Sequence, residues 1–269
     1  MSGRAPEQIW EDGIDEGERR LGRSALGLAA TGFAGGAEVA FGIMMIAVVS
    51  GAVRTIAPEP IAHVAGASVF GIAFVLITLG RAELFTENFH IPVAAVYARR
   101  SPGSALLRMW VVTLVFNMLG LAVVLGLLSI HGVLEPGTLS ASGPLADTYG
   151  SRGVLPAFAS AIVAGAVMTL FTWVVAAAES VPSRVIVSLL IGFVLIAPSL
   201  NHAVVSFGEI IFGQFTGAAK STSSDLWRNL GVAIAGNLVG GIGLVFATRV
   251  AQVRGEPGTG DSGRRPRDG

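Results

Sequence analysis

The chain has no cysteine and little charge, since only 13% of its residues are Asp, Glu, Lys or Arg. Without cysteine there are no disulfide bonds, no cysteine-ligated zinc and no thiol catalysis. The 18 basic residues are balanced by 18 acidic ones, so the chain lacks the positive surface of a nucleic-acid-binding protein. We therefore expect neither a nucleic-acid partner nor a metal or other cofactor.

Apolar residues dominate the composition. They make up 52% of the chain and the mean hydropathy is +0.68, which is too apolar for a soluble domain. Six segments approach the roughly 20 apolar residues that a transmembrane helix needs. They are residues 25–53, 63–98, 105–130, 155–178, 184–212 and 226–250. The sequence thus predicts an all-α integral membrane protein with six transmembrane helices.

The basic residues predict the orientation. With an even number of spans both termini lie on one side, and only Arg54, Arg152, Lys220 and Arg228 fall on the other. By the positive-inside rule the termini are cytoplasmic. We expect a multi-pass protein in contact with lipid in the bacterial inner (plasma) membrane.

Three parts follow from this topology. A cytoplasmic segment over 1–23 precedes a six-helix transmembrane domain over 24–252 and a disordered tail over 253–269. Ile9, Trp10 and Ile14 form an apolar edge of the first part, suited to the membrane surface. The outward loops around Ala57, Ala141 and Lys220 are expected to be irregular, because they are rich in Gly, Pro and Ser.

Ionisable side chains interrupt two apolar segments. Arg81, Glu83 and Glu87 lie in the second, and Glu38 lies in the first. A charge in hydrocarbon costs about 2.5 kcal/mol or more, and a broken helix is tolerated there only where it is buried in protein or lines a cavity. We expect a transport site at residues 80–89. Glu38 fits a gate or a helix-to-helix hydrogen-bond partner equally well.

A weak internal repeat relates the two halves of the chain. Asn117 and Gly120 of the third segment recur as Asn237 and Gly240 of the sixth, at an offset of 120 residues. The same offset brings the interruption of the second segment close to the polar residues 198–202 of the fifth. Halves of three spans each are inverted relative to one another, with a site near the midplane. Chance recurrence of Asn-x-x-Gly is the alternative.

These motifs resemble the formate/nitrite transporter family. Ala82-Glu83-Leu84-Phe85-Thr86 is similar to the acidic-Leu-Phe-Thr signature of the family's broken second helix, and Asn201-His202 to the acidic-His pair of its broken fifth helix. The third and sixth segments match family patterns around Asn117 and Asn237. The likeness extends from residue 24 to residue 250.

The resemblance implies an aquaporin-like inverted 3+3 repeat with helices two and five broken, usually assembled as a homo-pentamer with one pore per protomer. It implies passage of small monovalent weak-acid anions such as formate or nitrite, and no enzymatic activity. In the family, the His that corresponds to His202 lies between two apolar constrictions and faces the Thr that corresponds to Thr86.

Other family positions are apolar. Leu84 and Phe85 match the family's narrowing on the cytoplasmic side. Spacing alone makes Phe70, Phe74 and Leu195 constriction candidates.

The chain also departs from the family pattern. Arg81 and Glu87 stand where Gly or a small residue is common, and Asn201 replaces an acidic residue. A lysine that some members have before the fourth helix is missing, and Arg152 lies near its position. Arg81, Glu83 and Glu87 either neutralise one another and cap the broken helix ends or contact the substrate. These departures leave the substrate open.

Energetics favour passage of a neutral acid. Moving a bare carboxylate into an apolar constriction costs tens of kcal/mol, whereas protonating an acid of pKa about 3.9 at pH 7 costs roughly 4 kcal/mol. His202 is the expected proton partner or hydrogen-bond donor, and Thr86 the expected hydroxyl ligand.

The alternative for His202 is a purely structural role. For the chain as a whole, the alternatives are a neutral-solute or water channel of similar architecture, and an intramembrane enzyme. The sequence has no His-Glu-x-x-His or Gly-x-Ser-x-Gly motif.

Overall fold

The computed structural model describes residues 4–255, which form a bundle of helices. In chain order they are α1 (Pro6–Leu21), α2 (Ala25–Val53), α3 (Glu59–Ala67), α4 (Gly71–Gly80), α5 (Ile91–Tyr97), α6 (Gly103–Leu128), α7 (Pro136–Gly150), α8 (Val154–Ala177), α9 (Val181–Ile196), α10 (Ala203–Phe215), α11 (Ser223–Leu238) and α12 (Ala247–Gly255). A 3₁₀ helix (Phe85–Phe89) precedes α5, and a π-helix (Val239–Phe246) joins α11 to α12.

Five helical stretches of the described residues are long and apolar enough to cross a membrane. They are Ala25–Val53, Glu59–Gly80, Gly103–Leu128, Val154–Ala177 and Ser223–Gly255. Two further apolar helices, α9 and α10, are shorter and lie on either side of residues 197–202. The predicted all-helical, apolar architecture is confirmed. That α9 and α10 together form a sixth span stays a prediction.

Short polar side chains fix where several helices begin. The hydroxyl of Ser24 accepts the N–H of Gly27 at 3.1 Å at the start of α2, and that of Ser180 accepts the N–H of Ser183 at 3.2 Å at the start of α9. Thr222 and Asp225 form a reciprocal capping box at α11. Such caps satisfy amide groups that the first helical turn leaves free.

Two helix pairs pack closely enough to require glycine. α2 packs along α6 and α8 along α11. A Cβ atom at Gly36 would overlap the backbone oxygen of Asn117, and one at Gly165 would overlap that of Asn237. Only a residue without a side chain allows this approach. Each asparagine of the predicted repeat thus lies opposite a glycine where two helices cross.

The segment around Ala141 is not the irregular loop that its composition predicts. It forms α7, which packs against α10 and α2 and buries Ala141 and Tyr149. Pro136 lies in the first turn, where a missing N–H costs nothing. The small residues Ser142 and Gly143 face Thr216 and Ala218, so small size here serves close packing.

The apolar edge of the N-terminal segment packs on the protein itself. α1 lies against α5, with Ile9 and Leu21 buried. The ring of Trp10 lies 6.1 Å from that of His90, so part of this edge contacts the chain itself, and its contact with the membrane surface stays a prediction. The predicted tail falls outside the described residues except for 253–255, which end α12.

Candidate functional site

The chain leaves the helical conformation at Arg81. This residue adopts a left-handed backbone conformation with φ of 57°, and residues 82–90 beyond it are all buried. The N–H of Glu83 donates to the carbonyl oxygen of Thr31 in α2 at 3.2 Å. A buried irregular segment has to satisfy its backbone groups from neighbouring elements, and α2 supplies part of what this one needs.

The interruption between α9 and α10 has the same form. Ser199 is again left-handed, with φ of 52°, and it follows Arg81 by 118 residues, close to the offset of the predicted repeat. The guanidinium of Arg152 donates to the carbonyl oxygen of Ser199 at 3.0 Å and to the hydroxyl of Ser160 at 3.1 Å. Arg152 therefore stabilises the backbone at the end of α9.

One asparagine clamps each interruption. Asn117 Oδ1 accepts the N–H of Phe85 at 2.9 Å, and its Nδ2 donates to the carbonyl oxygen of Glu83 at 2.9 Å. Asn237 makes the equivalent bonds with the N–H of Ala203 and the carbonyl oxygen of Asn201, at 2.9 and 3.0 Å.

Each asparagine also binds a neighbouring helix. Nδ2 of Asn117 donates to Gly32 of α2 at 2.7 Å, and Nδ2 of Asn237 donates to Ala161 of α8 at 2.8 Å. The weak repeat in the sequence thus corresponds to two equivalent hydrogen-bond arrangements. Asn117 binds the residues on either side of Leu84, and Asn237 binds those on either side of His202.

Thr86 and His202 join the two interruptions. Thr86 Oγ1 and His202 Nε2 are 2.6 Å apart, and both side chains are fully buried. His202 Nδ1 lies 3.2 Å from the N–H of Val205, which donates to it at the start of α10. Since Nδ1 accepts, the proton of the neutral ring is on Nε2 and is donated to Thr86. The hydroxyl proton of Thr86 then remains available to another acceptor.

An apolar cluster includes the chain neighbours of this pair, Phe85 and Ala203. Phe70, Phe74, Leu195, Leu84 and Phe85 are all buried within one contiguous cluster. The ring of Phe74 lies 5.3 Å from that of Phe70 and stacks 5.1 Å from that of Phe171 in α8. Phe171 belongs to the same cluster, and the sequence offers no signal that distinguishes it from other apolar residues of its helix.

The expected pairing of Arg81 with Glu83 or Glu87 is wrong. Arg81 is exposed, whereas the Glu83 side chain is only 2% exposed and receives Arg23 at 2.6 Å and Arg20 at 3.5 Å. The left-handed turn at residue 81 separates the direction of its side chain from that of the buried residues. The partners of Glu83 therefore come from α1 and from the turn that follows it.

Glu87 and Glu38 lie in a different environment from Glu83. Glu87 is buried and its Oε2 accepts the N–H of Leu84 at 3.3 Å, as in a helix cap. Within residues 4–255 neither Glu87 nor Glu38 takes part in an ion pair. Oε2 of Glu38 has no hydrogen-bond partner among the described residues.

Asn201 belongs to a buried network of neutral polar groups. It exchanges hydrogen bonds with the amide of Asn229, at 3.0 and 3.2 Å, and Asn229 donates to the hydroxyl of Ser206 at 3.0 Å. The position where the resembled family has an acidic residue is thus occupied by Asn201, whose amide oxygen and nitrogen are both hydrogen-bonded. Asn229 and Ser206 are not identifiable as its partners from the sequence.

A cavity of about 330 Å³ lies between α1 and the first interruption; we call it the α1 cavity. Its walls include basic and acidic residues, together with apolar ones such as Ile77 and Phe171. The charged residues are Arg4, Asp12, Glu16, Arg19, Arg20, Arg23, Arg81, Glu83, Glu87 and Arg184. Arginine exceeds carboxylate around the cavity, so its wall is suited to attract anions.

Solved structures share this fold. An FNT family ion channel superposes with a TM-score of 0.79 at 18% identity, covering 91% of this chain and 99% of that one. A pentameric formate channel with formate bound superposes with a TM-score of 0.72 at 18% identity, covering 86% of this chain and 97% of that one.

Sequence relatives agree. The formate channel BtFdhC of Bacillus thuringiensis is 27% identical over an alignment of 259 residues, which covers 91% of this chain and 94% of that protein. The family model described as "Formate/nitrite transporter" matches residues 7–251. These proteins are channels and transporters rather than enzymes. With nearly its whole length matched, the chain belongs to the formate/nitrite transporter family.

Proposed function

We propose that the chain forms a channel for small monovalent weak-acid anions of the formate type, which cross it as neutral acids past Thr86 and His202. The observation that carries the proposal is the 2.6 Å hydrogen bond between these buried side chains, because it joins both helix interruptions inside an apolar cluster. The relatives described as formate channels support the choice of substrate.

The surroundings of the pair favour a neutral passenger. Phe70, Phe74, Leu195, Leu84 and Phe85 offer no charge to an anion, and a bare carboxylate among them would lose tens of kcal/mol of hydration. Protonation at pH 7 costs roughly 4 kcal/mol for an acid of pKa about 3.9. The anion therefore takes up a proton before it reaches the apolar cluster.

Thr86 is the hydrogen-bond donor in this mechanism. Because His202 donates its Nε2 proton to Thr86 Oγ1, the hydroxyl proton of Thr86 is free to bind the carbonyl oxygen of the acid. The two side chains together present hydrogen bonds without a net charge. Such a site holds an undissociated acid and releases it without having to separate an ion pair.

The α1 cavity serves as the cytoplasmic entrance in this proposal, with Arg81 and Arg184 helping to concentrate anions. The positive-inside distribution supports cytoplasmic termini in a bacterial inner membrane. The pentameric assembly of the neighbouring structure supports a pentamer of this chain. α9 and α10 then form one broken span and complete the inverted 3+3 repeat.

Flux into proteoliposomes tests the function. Vesicles containing the protein should swell in a formate gradient, faster at pH 5 than at pH 7, and should not respond to glycerol beyond protein-free vesicles. The pH effect is expected because protonating the anion costs less free energy as pH falls. Rapid glycerol entry without formate entry would establish the neutral-solute alternative instead.

A further inference from the structure

Two carboxyl groups of the first interruption lie in opposite electrostatic environments. Glu83 is held by Arg23 at 2.6 Å and Arg20 at 3.5 Å, so its negative charge is neutralised in place. Glu87 lies one turn further on, is 7% exposed, and has no ion pair among the described residues. A pair of carboxyls in such contrasting surroundings divides into one that stays ionised and one that exchanges a proton.

Glu87 also lies at the boundary between polar and apolar space. It lines the α1 cavity, and it directly follows Thr86, whose hydroxyl contacts His202 at 2.6 Å. Its Oε2 accepts the N–H of Leu84, so the carboxyl is fixed beside the apolar pair Leu84 and Phe85. The chain thus places Glu87 in the wall of the cavity and directly beside Thr86 in sequence.

We propose that Glu87 is the group that exchanges a proton with the substrate at the α1 end of the pore. The inference rests on the proposed function, which requires the anion to become neutral before it enters the apolar cluster. The family resemblance assigns no such group, since the position of Glu87 commonly holds a small residue there.

The exchange is a simple proton transfer. The O–H bond of the Glu87 carboxyl breaks as an O–H bond forms on a carboxylate oxygen of the anion, and the neutral acid moves on to Thr86. The Glu87 carboxylate is reprotonated by hydronium from the α1 cavity. In the other direction, an arriving acid gives its proton to the Glu87 carboxylate and leaves as the anion, and the same atoms are involved.

The groups that face Glu87 set the balance of this transfer. They are Arg20 of α1, Glu38 of α2 and Glu83 of the same segment. Glu38 and Glu83 oppose a second negative charge, while Arg20 favours it but is shared with Glu83 and Glu16. The charges around Glu87 thus act against one another, and none of them forms an ion pair with it among the described residues.

Glutamine separates proton exchange from helix capping. Glu87→Gln keeps an oxygen for the N–H of Leu84, because Glu and Gln are interchangeable in capping boxes, but it cannot release a proton. The matched control is Glu209→Gln. Glu209 is also buried, at 2% exposure, and does not line the α1 cavity.

Formate flux between pH 5 and pH 8 provides the readout. Wild-type flux should fall less than tenfold per pH unit, because the anion itself enters and receives a proton. Glu87→Gln should lower flux at pH 7 by roughly 10²-fold, the size typical of a lost proton-transfer group. The remaining flux of Glu87→Gln should be proportional to the concentration of undissociated acid, and should therefore fall tenfold per pH unit. Glu209→Gln should behave as wild type.

Two outcomes would refute the proposed function and the further inference separately. No formate flux by the wild-type protein would refute the proposed function, and this inference with it. Wild-type flux and pH response in Glu87→Gln would refute the inference alone.

A measurement on the wild-type protein tests the inference even if the Glu87→Gln variant does not assemble. Dicyclohexylcarbodiimide reacts with protonated carboxyls in apolar surroundings, and peptide mass spectrometry locates the adduct. Membranes containing the wild-type protein should be modified at Glu87 and not at Glu83. Modification of Glu83 with Glu87 unmodified would overturn the inference.

Discussion

At the scale of single residues, the contact between Thr86 and His202 is where the two halves of the chain meet. His202→Phe removes the ring nitrogens and fills the space with an apolar ring, so formate flux should stop. His202→Asn keeps a hydrogen-bonding group and should change selectivity. Both changes leave the outer faces of the helices untouched.

The matched test at Thr86 distinguishes its hydroxyl from its volume. Thr86→Val should lower flux like the loss of His202, whereas Thr86→Ser should keep most of it. Native mass spectrometry confirms that each variant assembles as the wild type does. Wild-type flux in a correctly assembled His202→Phe protein would contradict the mechanism.

The charges near Glu83 carry a separate prediction. Arg23→Ala leaves Glu83 buried with only Arg20 nearby, so it should destabilise the protein by less than the ~3–5 kcal/mol that breaking a fully buried pair costs. Adding Glu83→Gln should restore part of the loss. Arg81→Ala should change the stability of the protein little, because Arg81 is exposed.

Thermal unfolding in detergent measures these variants. A larger loss for Arg81→Ala than for Arg23→Ala would show that Arg81, not Arg23, compensates the buried carboxyl.

At the scale of helices, the two interruptions depend on their asparagine clamps. Asn117→Leu leaves the N–H of Phe85 and the carbonyl oxygens of Glu83 and Gly32 without their partner, and each unsatisfied buried group costs about 1–3 kcal/mol. A large fall in thermal stability is expected. Thr113→Val on the same helix is the control, because the Thr113 hydroxyl has no partner among the described residues. Equal losses for the two variants would contradict the clamp.

Ion pairs within α1 stabilise this helix, which makes it sensitive to acid. Burial alone would raise the pKa of Glu16, but hydrogen bonds from Arg19 and Arg20 outweigh it and lower the pKa from 4.5 to about 2. A carboxyl with a lowered pKa stabilises the folded state fully above its unfolded pKa. This contribution should therefore be lost as the pH falls from 4.5 through 2.

Hydrogen–deuterium exchange of α1, corrected for intrinsic rates, tests the effect. Glu16→Gln should increase exchange at pH 7 towards the level of the wild type at pH 2. Equal exchange in α1 of both proteins at pH 7 would show that the ion pairs of Glu16 do not stabilise the helix.

At the scale of the whole molecule, family membership and several apolar helices make the chain a multi-pass membrane protein. Wide apolar faces remain exposed on a single copy, including Leu107, Val111, Val115 and Val123 along α6. Lipid or neighbouring copies have to cover them. We expect a closed ring of five copies by native mass spectrometry in mild detergent. A stable monomer would contradict this assembly.

The sequence alone predicts the apolar helices because membrane spans are set by local length and hydropathy. It also predicts the interruptions, since buried charge and polar residues such as Glu83 and Asn201 stand out in apolar surroundings. The pairing of Thr86 with His202 came from the family resemblance and is present at 2.6 Å. These features depend on a few neighbouring residues or on a pattern shared with relatives.

The tertiary structure decided which charges meet. Arg23 and Glu83 are separated by 60 residues, and only the docking of α1 beside the first interruption brings them together, while the backbone turn at Arg81 directs the nearer arginine outward. The helical form of α7 and the partners of Asn201 were decided in the same way. Side-chain direction and contacts between distant segments follow from how helices pack, which neither hydropathy nor local spacing specifies.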